Sequence, residues 1–128
     1  MALRQAGRQT VLIAEQPFDY TELDTAAAVV AVDLPPGAIV TGGHINVNTA
    51  FDSTTNTVSI GDTGSATRYG ATVDLKTLGA TALTGVPFYN STGLAVQLTY
   101  AETGAATTAG AGTLVVEYVI EGRANEAQ

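Results

Sequence analysis

The chain has no cysteine and no tryptophan. Without thiols there is no disulfide framework, no thiolate metal site and no thiol nucleophile, and cysteine usage leaves the redox compartment open. Basic residues are scarce, with five Lys and Arg against twelve Asp and Glu and a formal net charge of −7. Phosphate backbones are bound by Lys and Arg that release counterions, so this balance excludes a nucleic-acid partner. Three of the five, Arg4, Arg8 and Arg123, stand in the terminal segments, which leaves the middle of the chain still more acidic. No stretch approaches the ~18 apolar residues of a membrane span, and the first residues hold no apolar signal core. The expectation is a soluble chain with no membrane partner and no cleaved signal. Charged residues of both signs make up only 13% of the chain, about half the roughly 25% of an ordinary globular protein. A surface of Thr, Ser, Asn, Gly and Ala suits subunits that dock on neighbours, because few charges must be desolvated.

What is present is a chain of 128 residues, 45% hydrophobic, long enough for one domain with its own core. Short runs of Val, Ile, Leu and Tyr recur between clusters of Gly, Pro, Asn and Asp, the spacing of a sandwich or barrel. Strands are expected at Gln9–Ala14, Ala26–Leu34, Ala38–Thr49, Thr57–Ile60, Ala71–Leu75, Val86–Tyr89, Leu94–Tyr100 and Thr113–Glu121. Alternation is strongest near the C-terminus, with Leu114, Val116, Tyr118 and Ile120 on one face and Val115, Glu117, Val119 and Glu121 on the other. Asp74-Leu75-Lys76-Thr77-Leu78 could instead form a short helical turn. The fold class is therefore all-β, an antiparallel jelly roll or related β-sandwich of about eight strands with little helix. The domain spans residues 9–122, flanked by a flexible arm at 1–8 and a tail at 123–128. The Gly/Ala/Thr-rich segment Thr103–Gly112 reads as a long exposed hairpin loop that, like the arm, orders on meeting a partner.

Few groups can carry chemistry. Asp62-Thr63-Gly64-Ser65 matches the catalytic loop of aspartic proteases, in which two carboxylates from two subunits share a proton and activate water. The pair before it is Ile60-Gly61 rather than two apolar residues, and the bracing element would have to be Val119-Ile120-Glu121-Gly122, interrupted by Glu121. The plainer reading makes Gly61–Gly64 the turn after a strand. A lone His44 cannot supply both a metal cluster and a general base, and no Gly-x-Ser-x-Gly elbow occurs. Asp52, Asp62 and Asp74 lack the spacing of a calcium loop. Asn90-Ser91-Thr92 fits the glycosylation pattern but marks a turn. No catalytic residue, metal or cofactor is expected. Phe18 and Tyr20, in Glu15-Gln16-Pro17-Phe18-Asp19-Tyr20, are either core anchors or interface anchors.

From Asn56 the chain reads Asn-Thr-Val-Ser-Ile-Gly-Asp-Thr-Gly-Ser-Ala-Thr-Arg-Tyr-Gly. An alternating strand, Gly-Asp, a short polar loop and Arg-Tyr in this order resemble a segment of the head decoration, or cement, proteins of tailed bacteriophages. Ile60, Gly61, Asp62, Arg68 and Tyr69 occupy those places. The N-terminal arm, the Leu-Pro-Pro-Gly-Ala-Ile-Val turn of residues 34 to 40 and the final apolar strand are similar to that family's layout. The resemblance implies a non-enzymatic virion protein, made in the host cytoplasm, that acts as a dimer or trimer. Such a protein binds the outside of the capsid and cements subunits of the major capsid protein. Partner contact is then expected at Leu3, Arg4, Arg8, Phe18, Tyr20, Arg68 and Tyr69 and in the Thr103–Gly112 loop. A tail or baseplate adaptor would share this composition. A sandwich that binds host glycans would need a polar-aromatic pocket that the sequence does not display.

Overall fold

The computed structural model describes residues 9–122; the expected arm and tail, with Leu3, Arg4 and Arg8, lie outside the described residues. Nine strands follow in order: β1 (Leu12–Asp19), β2 (Val29–Val32), β3 (Ala38–Thr49), β4 (Thr55–Gly61), β5 (Gly70–Asp74), β6 (Gly79–Ala82), β7 (Phe88–Asn90), β8 (Val96–Thr103) and β9 (Ala111–Ile120). One sheet has the order β1-β9-β3-β6, with β7 also on β3, and the other β2-β8-β4-β5. All pairings are antiparallel. The connectivity is that of one long hairpin folded at the β4–β5 turn, in which β3 meets β6, β2 meets β8 and β1 meets β9. Rolling that hairpin adds the β3–β9 and β4–β8 pairs and separates alternate strands into two sheets. This is a jelly roll, the first of the two architectures expected, with β7 as an extra short strand.

The inner faces supply the core. Val40, Ile45, Val47, Leu114 and Val116 from one sheet meet Val58, Ile60, Val96, Leu98 and Tyr100 from the other, all buried. At this burial, truncation of Ile45 or Leu114 to alanine costs ~2–5 kcal/mol. β3 keeps its apolar residues inward over twelve residues only because its parity changes midway. Opposite the adjacent β9 pair Tyr118 and Glu117 stand Val40 and Gly42, so Thr41 is an extra residue. This bulge turns both Val40 and Ile45 to the inside. Gly43, at φ +137°, completes it; a Cβ there would lie 2.2 Å from the Val115 carbonyl oxygen.

Several boundaries differ from expectation. The first strand runs Leu12–Asp19 rather than Gln9–Ala14, because β1 is an edge strand and tolerates Pro17. The expected strand Ala26–Leu34 shrinks to the four residues of β2. β6, Gly-Ala-Thr-Ala, was not expected at all, since small exposed residues carry no periodicity. No helix forms at Asp74–Leu78: the Asp74 carboxylate accepts from the Lys76 N–H at 2.9 Å and the Thr77 hydroxyl at 2.8 Å, closing a side-chain turn. The segment after Thr103 is not a hairpin either, because β8 and β9 belong to different sheets.

Candidate functional site: the Asp62–Arg68 turn, the polar end and the edge groove

The turn between β4 and β5 holds the residues of the decoration-protein resemblance. Gly61 ends β4 where only a glycine fits, since a Cβ would meet the Ser65 carbonyl oxygen at 2.1 Å. The Asp62 N–H donates to that oxygen at 2.9 Å, while the Gly64 and Ser65 N–H groups each donate to Asp62 Oδ1 at 2.9 Å. Arg68 closes the ring, Nε donating to Oδ2 at 2.6 Å and Nη2 to Oδ1 at 3.1 Å. Burial works to raise the Asp62 carboxyl's pKa. The Arg68 hydrogen bonds, the Ser65 and Gly64 N–H groups and the Arg68 charge outweigh it and hold the group below the usual carboxylate range. Arg68 is pushed up by its hydrogen bond to Asp62. Its guanidinium carbon stands 3.9 Å from the centre of the Phe88 ring, which meets Tyr69 edge-on at 6.1 Å. Thr84 donates its N–H to the Tyr69 carbonyl at 2.7 Å. The turn of one sheet is thereby fastened to β7, which belongs to the other.

This geometry suits scaffolding. A carboxylate held ionised by a guanidinium is a poor proton acceptor, and aspartic-protease chemistry needs a second carboxylate where Asp62 has Arg68. Val119 and Ile120, the expected brace of such a site, pair with Ile39 and Ala38 in the opposite sheet. Tyr69 is 1% exposed and its hydroxyl has no partner. Burial, with a smaller contribution from the Asp62 charge, pushes it up to about 12. Of the two expected contact residues in this turn, only Arg68 keeps surface, with its side chain 23% exposed.

A second polar cluster, which sequence reasoning missed, closes one end of the sandwich. Asn56 on β4 donates to the Tyr100 hydroxyl at 2.5 Å and to Thr107 Oγ1 at 2.7 Å. Glu102 Oε2 accepts from Ser53 Oγ at 2.9 Å and from the Thr107 N–H at 3.0 Å. The hydrogen bonds from Thr107 and Ser53 lower the Glu102 pKa against a small opposing effect of burial. Lys76 Nζ donates to the Ser53 and Thr54 carbonyls nearby. The 104–110 segment is therefore tied into the fold through Thr107 without a partner, contrary to expectation. Its only advance signal was Asn56, a polar residue at an inward position of an alternating strand.

The remaining expected positions separate cleanly. Phe18 is in the core, against Gly112, and Tyr20 packs partly buried against that core. His44 stands half-buried on β3 opposite Val115 and Ala82. Asn90 is buried, donating to the Leu94 carbonyl at 2.7 Å and accepting from the Gly93 and Leu94 N–H groups at 3.0 and 2.8 Å, as a turn residue does. Among the described residues no group of three or more His, Cys, Asp or Glu could hold a metal ion, and no helix is long and apolar enough to cross a membrane.

One concavity opens where the free edges of β1 and β2 meet. This groove, about 140 Å³, is lined by Pro17, Phe18, Leu23, Val29 and Val30 together with the polar Gln16 and Glu22. Glu15, Asp19 and Asp24 follow in the adjoining chain.

No protein-family model matches the sequence, and no curated protein matches it. Among solved structures, the chain is similar to one in the capsid asymmetric unit of cyanophage Pam1, with a TM-score of 0.70 and 25% identity over 94% of this chain and 91% of that one. It has the fold of a chain in the acid-stable capsid of Helicobacter pylori bacteriophage KHP30, at TM-score 0.63 and 20% identity over 87% and 88% of the two chains. The capsid of Ralstonia phage GP4 contains a third such chain, at TM-score 0.51 and 15% identity over 94% and 90%. The structural neighbours of this protein are thus bacteriophage capsid chains, in agreement with the family that its sequence resembles.

Proposed function

We propose that this chain is a non-enzymatic virion protein that binds the outside of a bacteriophage capsid and cements neighbouring major-capsid subunits. The observation that carries this reading is the likeness along nearly the whole chain to a chain of a phage capsid asymmetric unit. The sandwich is consistent with such a role. The buried ion pair of its described residues is consumed in holding a turn, and its exterior is poor in cations. Contacts of this kind act collectively, through many modest interactions repeated around a lattice rather than through one pocket.

The test is co-sedimentation of the purified protein with expanded capsids that lack it, followed by quantification of copies per capsid. Saturation at a copy number commensurate with the capsid lattice is the expected outcome. Absence of binding, with the protein found in purified tails instead, would replace this reading by that of a tail or baseplate adaptor.

A further inference from the structure

The basic and acidic residues of this chain are distributed unequally. Three of its five basic residues fall in 1–8 and 123–128, whereas eleven of its twelve acidic residues fall in 9–122. The two cations of the described residues are both engaged, Arg68 with Asp62 and Lys76 with backbone carbonyls. The body of the protein is therefore an anionic surface, and the segment 1–8, which contains Arg4 and Arg8 and no acid, is its electrostatic complement.

We propose that the groove between β1 and β2 receives the 1–8 segment of a second copy of the chain, with Leu3 against its apolar lining residues and Arg4 against Glu22. The groove's volume of about 140 Å³ is near the ~150 Å³ that accommodates a benzene molecule, enough for one leucine side chain. Its lining offers Phe18, Leu23, Val29 and Val30 for apolar contact and one carboxylate, Glu22, which matches an apolar residue followed by an arginine. Val30, 53% exposed, is apolar surface that such a contact would cover.

Chain geometry selects a second copy over the same one. Gln9 is anchored beside Ile120, its Nε2 donating to the Ile120 carbonyl at 2.6 Å and its Oε1 accepting from the Ile120 N–H at 2.9 Å. From there the chain enters β1 at Leu12 and runs away to the groove at Gln16–Phe18, seven to nine residues on, roughly 23–30 Å at the rise of a strand. Leu3 is six residues before Gln9 and reaches at most ~20–22 Å, less after the chain has reversed direction. It falls short of its own groove, whereas a neighbour's groove has no such limit. The inference deepens the capsid reading by giving a mechanism for self-association, yet its test runs in solution without capsids.

The absence of native cysteine makes that test clean. Leu3→Cys and Val30→Cys are prepared as separate full-length variants, mixed and oxidised. The expected result is a disulfide-linked pair that forms at least tenfold faster than in a mixture of Leu3→Cys with Leu78→Cys, whose side chain is similarly exposed at the β5–β6 connection on the opposite side of the sandwich. Glu22→Arg should slow the linkage, and Arg4→Glu added to the Leu3→Cys partner should restore it. A rate no higher than the control overturns the proposal, as does a Leu3→Cys/Val30→Cys double variant that closes mainly within one chain. If linkage fails while capsid co-sedimentation persists, the exchange is wrong and the capsid reading stands. If linkage forms while capsid binding is absent, the exchange stands and the capsid reading falls.

Discussion

Replacing Asp62 by asparagine tests whether the Asp62–Arg68 turn is a structural clasp. The carboxylate, with its side chain 1% exposed, accepts from two backbone N–H groups and from two guanidinium nitrogens. Asparagine offers one acceptor oxygen, so its NH₂ must face either donors on the backbone or donors on Arg68. Removing one partner of a buried pair costs ~3–5 kcal/mol, and because Arg68 keeps contact with water the cost here should be nearer ~2–3 kcal/mol. That corresponds to a fall in melting temperature of roughly 10 °C for a domain of this size. The sign with pH follows from the depressed carboxyl. Its stabilisation is complete above the unfolded carboxylate value of about 3.9 and is lost as the pH falls through the lower folded value. Urea unfolding of wild type and Asp62→Asn at pH 7 and at decreasing pH measures both effects, and the gap between the two proteins should narrow on acidification. A difference under ~1 kcal/mol at pH 7 would refute the reasoning. A variant of unchanged stability that had lost a peptide-cleaving activity would revive the protease.

Three further outcomes are expected. Gly110→Ala places a Cβ at 2.5 Å from the Phe51 ring on a backbone at φ +148°, and should cost ~3 kcal/mol by equilibrium unfolding, whereas a loss under ~1 kcal/mol would mean that the 104–110 segment moves freely. Glu102→Gln removes the charge on which Ser53 and Thr107 converge; limited proteolysis should cut within 104–110 faster in this variant at pH 7, and in wild type only once the pH drops below the ordinary range of glutamate. Tyr69→Phe deletes a buried hydroxyl that has no partner, so thermal melting should show no loss and up to ~1 kcal/mol of gain at neutral pH. In wild type stability should decline as the pH rises from the unfolded tyrosine value of about 10 towards about 12, because burial penalises the phenolate; the variant should lack this decline.

Sequence alone determined the class of this protein and much of its interior. Alternation in β9 put Leu114 and Val116 on one face, which is the inward one, because a strand's side-chain period is two whatever it pairs with. Gly-Asp after Ile60 marked a turn because side-chain capping of that kind is local, reaching only from Asp62 to Ser65. Pairing order is not local. β1 meets β9 and β3 meets β9 across most of the chain, and the same alternation would serve a different strand order, so only the tertiary structure chose the jelly roll. The same holds for Phe18, which the sequence left between core and interface and which packing placed inside. β6 was invisible because Gly-Ala-Thr-Ala has no apolar pattern and becomes a strand only by pairing with His44–Val47 of β3. The polar end was equally hidden. Ser53 and Thr107 lie far apart in the chain, and a neutral hydroxyl carries no sign in the sequence of the partner that folding will bring to it.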